Sequence, residues 1–231
     1  MEKNSAIADF LASHGWLSFT PPAFRKNVLA RIQTREFRKG EAVYRAGDPP
    51  GGLWVVVHGA VEIELPPPDT APHFVHLASP GFWFGEWPLI WDKPRRLTVA
   101  ATVPSTLATC PLSECRAMLE AEPSAWRWIA LLSTMSSDLA AGIVSDLLLR
   151  DPAKRTAAVL LRVAGVRSHV FVSAEPSTIN LSQERLSHLV NLSRNSIIPI
   201  LHEFVRLGLI EVKYGSISIV DARGLSAMIP E

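Results

Sequence analysis

Residues 181–210 read LSQERLSHLVNLSRNSIIPILHEFVRLGLI, and this stretch decides the fold. Ser182 caps a first helix that buries Leu186, Leu189 and Val190, and Asn191 supports a tight turn. Ser193 then caps a second helix that buries Ile197, Ile200, Leu201 and Phe204 at helical spacing. Two short helices joined by about three residues form a helix-turn-helix. In that geometry the first turn of the second helix enters the major groove, which sets Arg194, Asn195 and Ser196 against the base edges, with the cap Ser193 also in the DNA-binding set. Arginine can bond a guanine bidentately and asparagine an adenine, each good pair contributing about 1–3 kcal/mol of discrimination. Gln183 and Arg185, on the first helix, are placed to contact phosphates and set the register.

Directly after Gly208 comes a hairpin pattern with apolar positions Ile210, Val212, Ile217 and Ile219 and Tyr214-Gly215 at its turn. This is a wing, and Lys213 on it is a candidate phosphate contact or a solvated strand residue. A plain helical hairpin is the simpler alternative. Two caps, the turn, the following glycine and the wing at the right spacing favour the DNA reader. Pro199, six residues after Ser193, departs from the pattern: it removes the bond to the Asn195 carbonyl and predicts a kink.

Upstream, Asp151-Pro152 ends one helix and starts another, with Asp151 as cap and Pro152 at the first helical position. Between Pro123 and Pro152 no proline occurs, and Trp128, Leu131, Leu132, Met135, Leu139, Gly142, Ile143 and Leu147 make an apolar stripe. Its spacing is close to a coiled-coil seam and predicts a homodimer formed through residues 124–149, with packing on its own domain as the alternative.

From Phe37 to Thr109 the chain is broken every few residues by Gly or Pro, with LWVVVHG, AVEIEL and FVHLA between the breaks. Many short strands with frequent turns predict an antiparallel β-roll, and PPPDTAP at 66–72 reads as a solvated hairpin loop. The expected fold is α+β: an N-terminal antiparallel, jelly-roll-like β-roll with N-terminal helices (1–122), a long dimerisation helix (123–150) and a winged helix-turn-helix (151–231). Short strands are expected near Val170 and Ile179.

With 231 residues, 48% of them hydrophobic, the chain has ample material for two cores. Neither MEKNSAIADFLASHGW nor any later apolar run has the length of a signal peptide or membrane span, so a cytoplasmic protein with no membrane partner is expected. The net charge of +1 argues neither for nor against nucleic acid, since a reader needs a local basic surface. Cys110 and Cys115 have no metal or haem spacing and read as reduced thiols. His73 and His76 lie three apart and point to opposite faces of a strand, so they do not share a metal. No nucleophile triad, phosphate-binding loop or zinc motif appears, and no catalytic or metal-binding residue is assigned. His58, His73 and His76 read as ordinary roll histidines, and Trp54, Trp83, Trp87 and Trp91 mostly as core or hinge packing.

The ordered set of Gly40-Glu-Ala-Val-Tyr-Arg-Ala-Gly-Asp48, Val57-His-Gly-Ala-Val61, Pro80-Gly-Phe-Trp-Phe-Gly-Glu86 and the reader resembles the Crp/Fnr superfamily of transcriptional regulators over nearly the whole chain. The resemblance implies a cyclic-nucleotide-binding-type roll, a dimer helix, palindromic double-stranded DNA sites and RNA polymerase as a partner. It also implies an effector site at Gly85, Glu86 and Arg95 or Arg96, where a carboxylate accepts from a ribose hydroxyl and a guanidinium holds a phosphate. For cyclic AMP the pattern is incomplete. The residue after the arginine is Arg96 or Leu97 in place of serine, and the helix positions expected to meet adenine fall near Ala140 and Ala141, with Ser136, Ser137 and Ser145 nearby. The expectation is a sequence-specific regulator whose DNA affinity is set by a small effector in the roll. The alternative is an effector-binding module that acts through protein partners, with a vestigial DNA-binding domain.

Overall fold

The computed structural model describes residues 2–66, 73–167 and 178–229. The stretch at 67–72 and the strand expected near Val170 lie outside the described residues. Contacts divide the chain into two compact units, one of the described residues up to Pro66 with Leu77–Ser137, the other of His73–His76 with the residues from Asp138 onward.

The chain opens with helices α1 (Glu2–Ser13) and α2 (Pro22–Leu29), whose Leu11, Phe24 and Val28 are buried. Strands β1 (Gln33–Phe37), β2 (Ala42–Tyr44), β3 (Leu53–His58), β4 (Val61–Leu65), β5 (His73–Ala78) and β6 (Trp83–Phe84) follow. A short helix α3 (Trp87–Ile90) precedes β7 (Thr98–Ala101) and β8 (Ser105–Cys110). These strands form two four-stranded sheets, ordered β1-β8-β3-β6 and β2-β7-β4-β5, with antiparallel pairing throughout the registers described. This is the expected roll. The strand β1, sequence QTREF, precedes the Gly/Pro-punctuated region; four of its five residues are exposed, so it carried no apolar alternation to read.

Gly59 turns the chain from β3 to β4 at φ 88°, and a Cβ there would collide with Ser105 Oγ at 2.3 Å. That position requires glycine for both conformation and space. Of the four roll tryptophans, Trp83 is fully enclosed, whereas Trp87 and Trp91 are exposed, against the packing expected of them.

Helix α4 (Leu112–Ala121) leads into the long helix α5 (Trp126–Leu148). The apolar stripe expected to face a second copy is partly used at home: Leu132 and Met135 are buried together with Ile129. A different row stays exposed along α5, namely Ala130, Thr134, Ser137, Ala141, Val144 and Leu148. Its steps alternate four and three, the spacing of a coiled-coil seam. The segment Pro123–Leu148 also reaches a mean hydropathy of 1.3 over 18 residues, enough by length and composition for a membrane span. Ser133, Thr134, Ser136, Ser137 and Asp138 interrupt this run, so no continuous apolar stretch marks it in the sequence.

The second unit contains α6 (Pro152–Val163), β9 (Thr178–Ile179), α7 (Gln183–Leu189), α8 (Arg194–Arg206), β10 (Ile210–Lys213), β11 (Ser216–Ile219) and α9 (Ala222–Ala227). Asp151 caps α6 by accepting from the N–H groups of Ala153 and Lys154, with Pro152 at the first position, as expected. Strands β10, β11 and β9 form a three-stranded antiparallel sheet. Its Ile210, Ile217 and Ile219 are enclosed, as are Leu186, Leu189, Ile197, Leu201 and Phe204, whereas Ile200 is only half-buried.

Candidate DNA interface and sensor site

Helix α7 starts at Ser182, whose Oγ accepts from the Arg185 N–H. It ends one residue before Val190, and Asn191 takes φ 50°, the left-handed turn that asparagine tolerates better than most residues. Ser193 then opens α8 by accepting from the Ser196 N–H, and the two serine hydroxyls lie 2.8 Å apart. Ser193 and Ser196 therefore use hydrogen-bonding capacity on the cap itself. Arg194 and Asn195 stand exposed on the same turn, clear of the buried line of Ile197, Leu201 and Phe204.

Gln183, at the start of α7, borders a groove of about 510 Å³ that His202, Arg206 and Val212 also line. Arg185 places its guanidinium carbon 5.4 Å from the Phe74 ring centroid. Lys213 is exposed and 3.8 Å from Glu211, and beside it Tyr214 is fully exposed at the wing turn, where Gly215 has φ 73°. Helix α8 runs unbroken from Arg194 to Arg206 through Pro199. Exposed His202, one turn beyond Pro199, extends the outward face, and sequence reasoning missed it because an isolated histidine carries no motif.

At the base of this unit Asp146, near the end of α5, accepts from Arg162 Nε at 2.7 Å and from Arg167 Nη1. Arg162 Nη1 also lies 3.2 Å from His76 Nδ1. Since a guanidinium only donates, that ring nitrogen accepts and the imidazole is neutral. Burial, reinforced by the Arg162 charge, lowers the His76 pKa to about 3.

In the roll, Glu86 and Arg95 are both buried. The Arg95 guanidinium donates to the Gly85 carbonyl at 3.0 Å and the Gly52 carbonyl at 2.8 Å, and stacks over Tyr44 with 4.3 Å to the ring centroid. A Cβ on Gly51 would fall 2.5 Å from Arg95 Nη2, so the guanidinium would have to shift, whereas Gly85 combines φ 91° with a Cβ position 2.8 Å from Nη1 and 3.0 Å from the Gly52 carbonyl. Burial raises the Glu86 pKa, partly offset by hydrogen bonds that include Ser136 of α5 and by the Arg95 charge. Arg96 points elsewhere, exposed and over the Trp87 ring at 4.7 Å. Of the two arginines, Arg95 is thus the one beside Gly85 and Glu86. Ala140 and Ala141 are exposed, and Ser136 is the helix residue that meets Glu86. Tyr44 and Gly52 are neighbours that no sequence spacing announces, whereas Ser136 is one of the hydroxyls noted beside the expected adenine positions.

A buried carboxylate and guanidinium packed against Gly51, Gly52 and Gly85 suit a ribose hydroxyl and a phosphate, since Arg95 has five donors and two are engaged by carbonyls. The cyclic AMP pattern stays incomplete at Arg96. Together with the capped reader and wing, this buried pair defines a DNA-binding regulator with a cyclic-nucleotide-type sensor domain. Residues 34–122 match the family described as Cyclic nucleotide-binding domain, and residues 154–228 that described as Crp-like helix-turn-helix domain. The chain belongs to the Crp/Fnr family of transcriptional regulators. It is 30% identical over 213 residues, 89% of its length and 81% of the relative's, to the HTH-type transcriptional regulator Cmr of Mycobacterium tuberculosis. It is 25% identical over 228 residues, 94% of its length and 97% of the relative's, to the CRP-like cAMP-activated global transcriptional regulator of the same species. The fold is shared with FixK2 from Bradyrhizobium japonicum at TM-score 0.73 and 18% identity, covering 87% of this chain and 98% of that one.

Proposed function

We propose that this regulator works in the cytoplasm as a homodimer joined along α5, with Arg194 and Asn195 reading bases in each half of a palindromic DNA site. The observation that carries the reading is the Ser193 cap, which leaves Arg194 and Asn195 exposed on the first turn of α8. Ser193 and Ser196 hold that turn and approach the backbone or base edges beside it, while Gln183, Arg185 and Lys213 contact phosphates. The alternating four-and-three row from Ala130 to Leu148 supports pairing with a second copy. Such a dimer fits half-sites about one DNA turn, roughly 34 Å, apart. RNA polymerase is the expected downstream partner, and the domains divide near 122 and 150.

Gly85, Glu86 and Arg95 are the proposed effector contacts, with Arg96 at the rim. A cyclic nucleotide bound there would supply a ribose hydroxyl for Glu86 and an anionic phosphate for Arg95; the cAMP-activated relative supports that class. An effector shifts the dimer only through different affinities for its two arrangements. The test is binding to a selected operator: Arg194→Ala is expected to weaken specific binding about 10- to 100-fold while the dimer stays intact. Unchanged operator selection would overturn the assignment of the reading residue.

A further inference from the structure

Beyond Arg194 and Asn195, the outward face of α8 carries Ile198, half-exposed, and Pro199, exposed. Pro199 is four residues after Asn195, so it lies on the same face about one turn further along. The core line of the helix is Ile197, Leu201 and Phe204, all enclosed, and Pro199 adds nothing to it. An interior proline is the least favourable helix residue, and here its ring faces outward, where packing does not require it. Neither side chain can donate or accept a hydrogen bond. Set against a guanine, cytosine or adenine edge, this surface would remove water from polar groups and return no hydrogen bond. The apolar feature of the major-groove floor is the thymine 5-methyl group.

The geometry points to Ile198 and Pro199 as an apolar contact that reads a thymine methyl, one or two base pairs from the pair read by Arg194 and Asn195. A helical turn of 5.4 Å spans between one and two base-pair steps of 3.4 Å. This inference rests on the placement of α8 in the major groove and adds a specificity-determining pair to it.

The test uses the full-length protein and the operator it selects from random DNA. Each thymine of the half-site is replaced in turn by uracil, which removes only the methyl group, symmetrically in both halves. At one thymine position the wild-type protein is expected to lose about fourfold in affinity per half-site, roughly 15-fold for both, the effect of one buried methyl. The Ile198→Ser/Pro199→Ser variant is expected to bind thymine and uracil operators equally; removing the proline favours the helix, and circular dichroism confirms that it folds. Wild-type binding that is indifferent to uracil at every position would overturn the proposal, as would a methyl effect that persists in the variant. If α8 does not read DNA at all, no sequence is enriched or Arg194→Ala leaves selection unchanged, an outcome distinct from intact selection without methyl sensitivity.

Discussion

Arg162 Nε donates to Asp146 Oδ2 across 2.7 Å, with the two side chains only 4% and 2% exposed. The pair ties the end of α5 to α6, so the long helix and the first helix of the DNA-binding unit share an enclosed ion pair. Removing one partner leaves a buried charge without its counter-ion. Asp146→Ala is therefore expected to destabilise by about 3–5 kcal/mol in denaturant unfolding. Asp146→Leu combined with Arg162→Met should recover most of that loss, because no charge remains enclosed.

The neutral His76 makes this unit acid-sensitive. Its folded pKa, about 3, lies below the ordinary value of 6.5, so the unfolded chain binds the extra proton first. Stability is full above about pH 6.5 and falls as the pH drops towards 3, by about 2 kcal/mol between pH 7.5 and 5. Comparison of the wild type with His76→Gln at both pH values isolates this contribution; a wild type whose loss equals that of the variant would refute it.

Glu86 has the opposite sign. Burial raises its pKa, so ionising it costs folded stability, and the cost fades as the pH falls and the carboxyl is protonated in both states. Glu86→Gln is expected to raise the melting temperature at pH 7.5, with the gain shrinking towards acid pH, and to weaken the response to a cyclic nucleotide.

Val144→Glu tests the dimer seam. Val144 is exposed on α5 in the row from Ala130 to Leu148, so a carboxylate there should leave the fold of one chain unchanged but place like charges against each other in the dimer. Sedimentation is expected to show a monomer with a wild-type circular dichroism spectrum; an undisturbed dimer would move the seam to another face.

Local signals were legible in the sequence. Ser182, Ser193 and Asp151 are caps because a side-chain oxygen two or three residues before a helical N–H can satisfy it, a rule that needs no tertiary knowledge. Asn191 likewise announces its turn. What stayed hidden depends on residues brought together from afar. Ser136 could be named only as a hydroxyl near the adenine positions, and its pairing with Glu86 spans 50 residues; Arg95 finds the Gly52 carbonyl across 43. Apolar residues fall on both faces of α5, and periodicity alone does not say which side its own chain covers, as it does at Leu132 and Met135. Pro199 predicts a kink from its missing N–H alone, and α8 contains it between Arg194 and Arg206.

Whether α8 reads DNA sequence as part of a dimer is decided by selection from random double-stranded DNA with the full-length protein. An enriched palindrome with half-sites about one helical turn apart is expected, its enrichment lost in Arg194→Ala. Selection that enriches no sequence, with and without added cyclic nucleotide or cell extract, would contradict it and favour a module acting through protein partners.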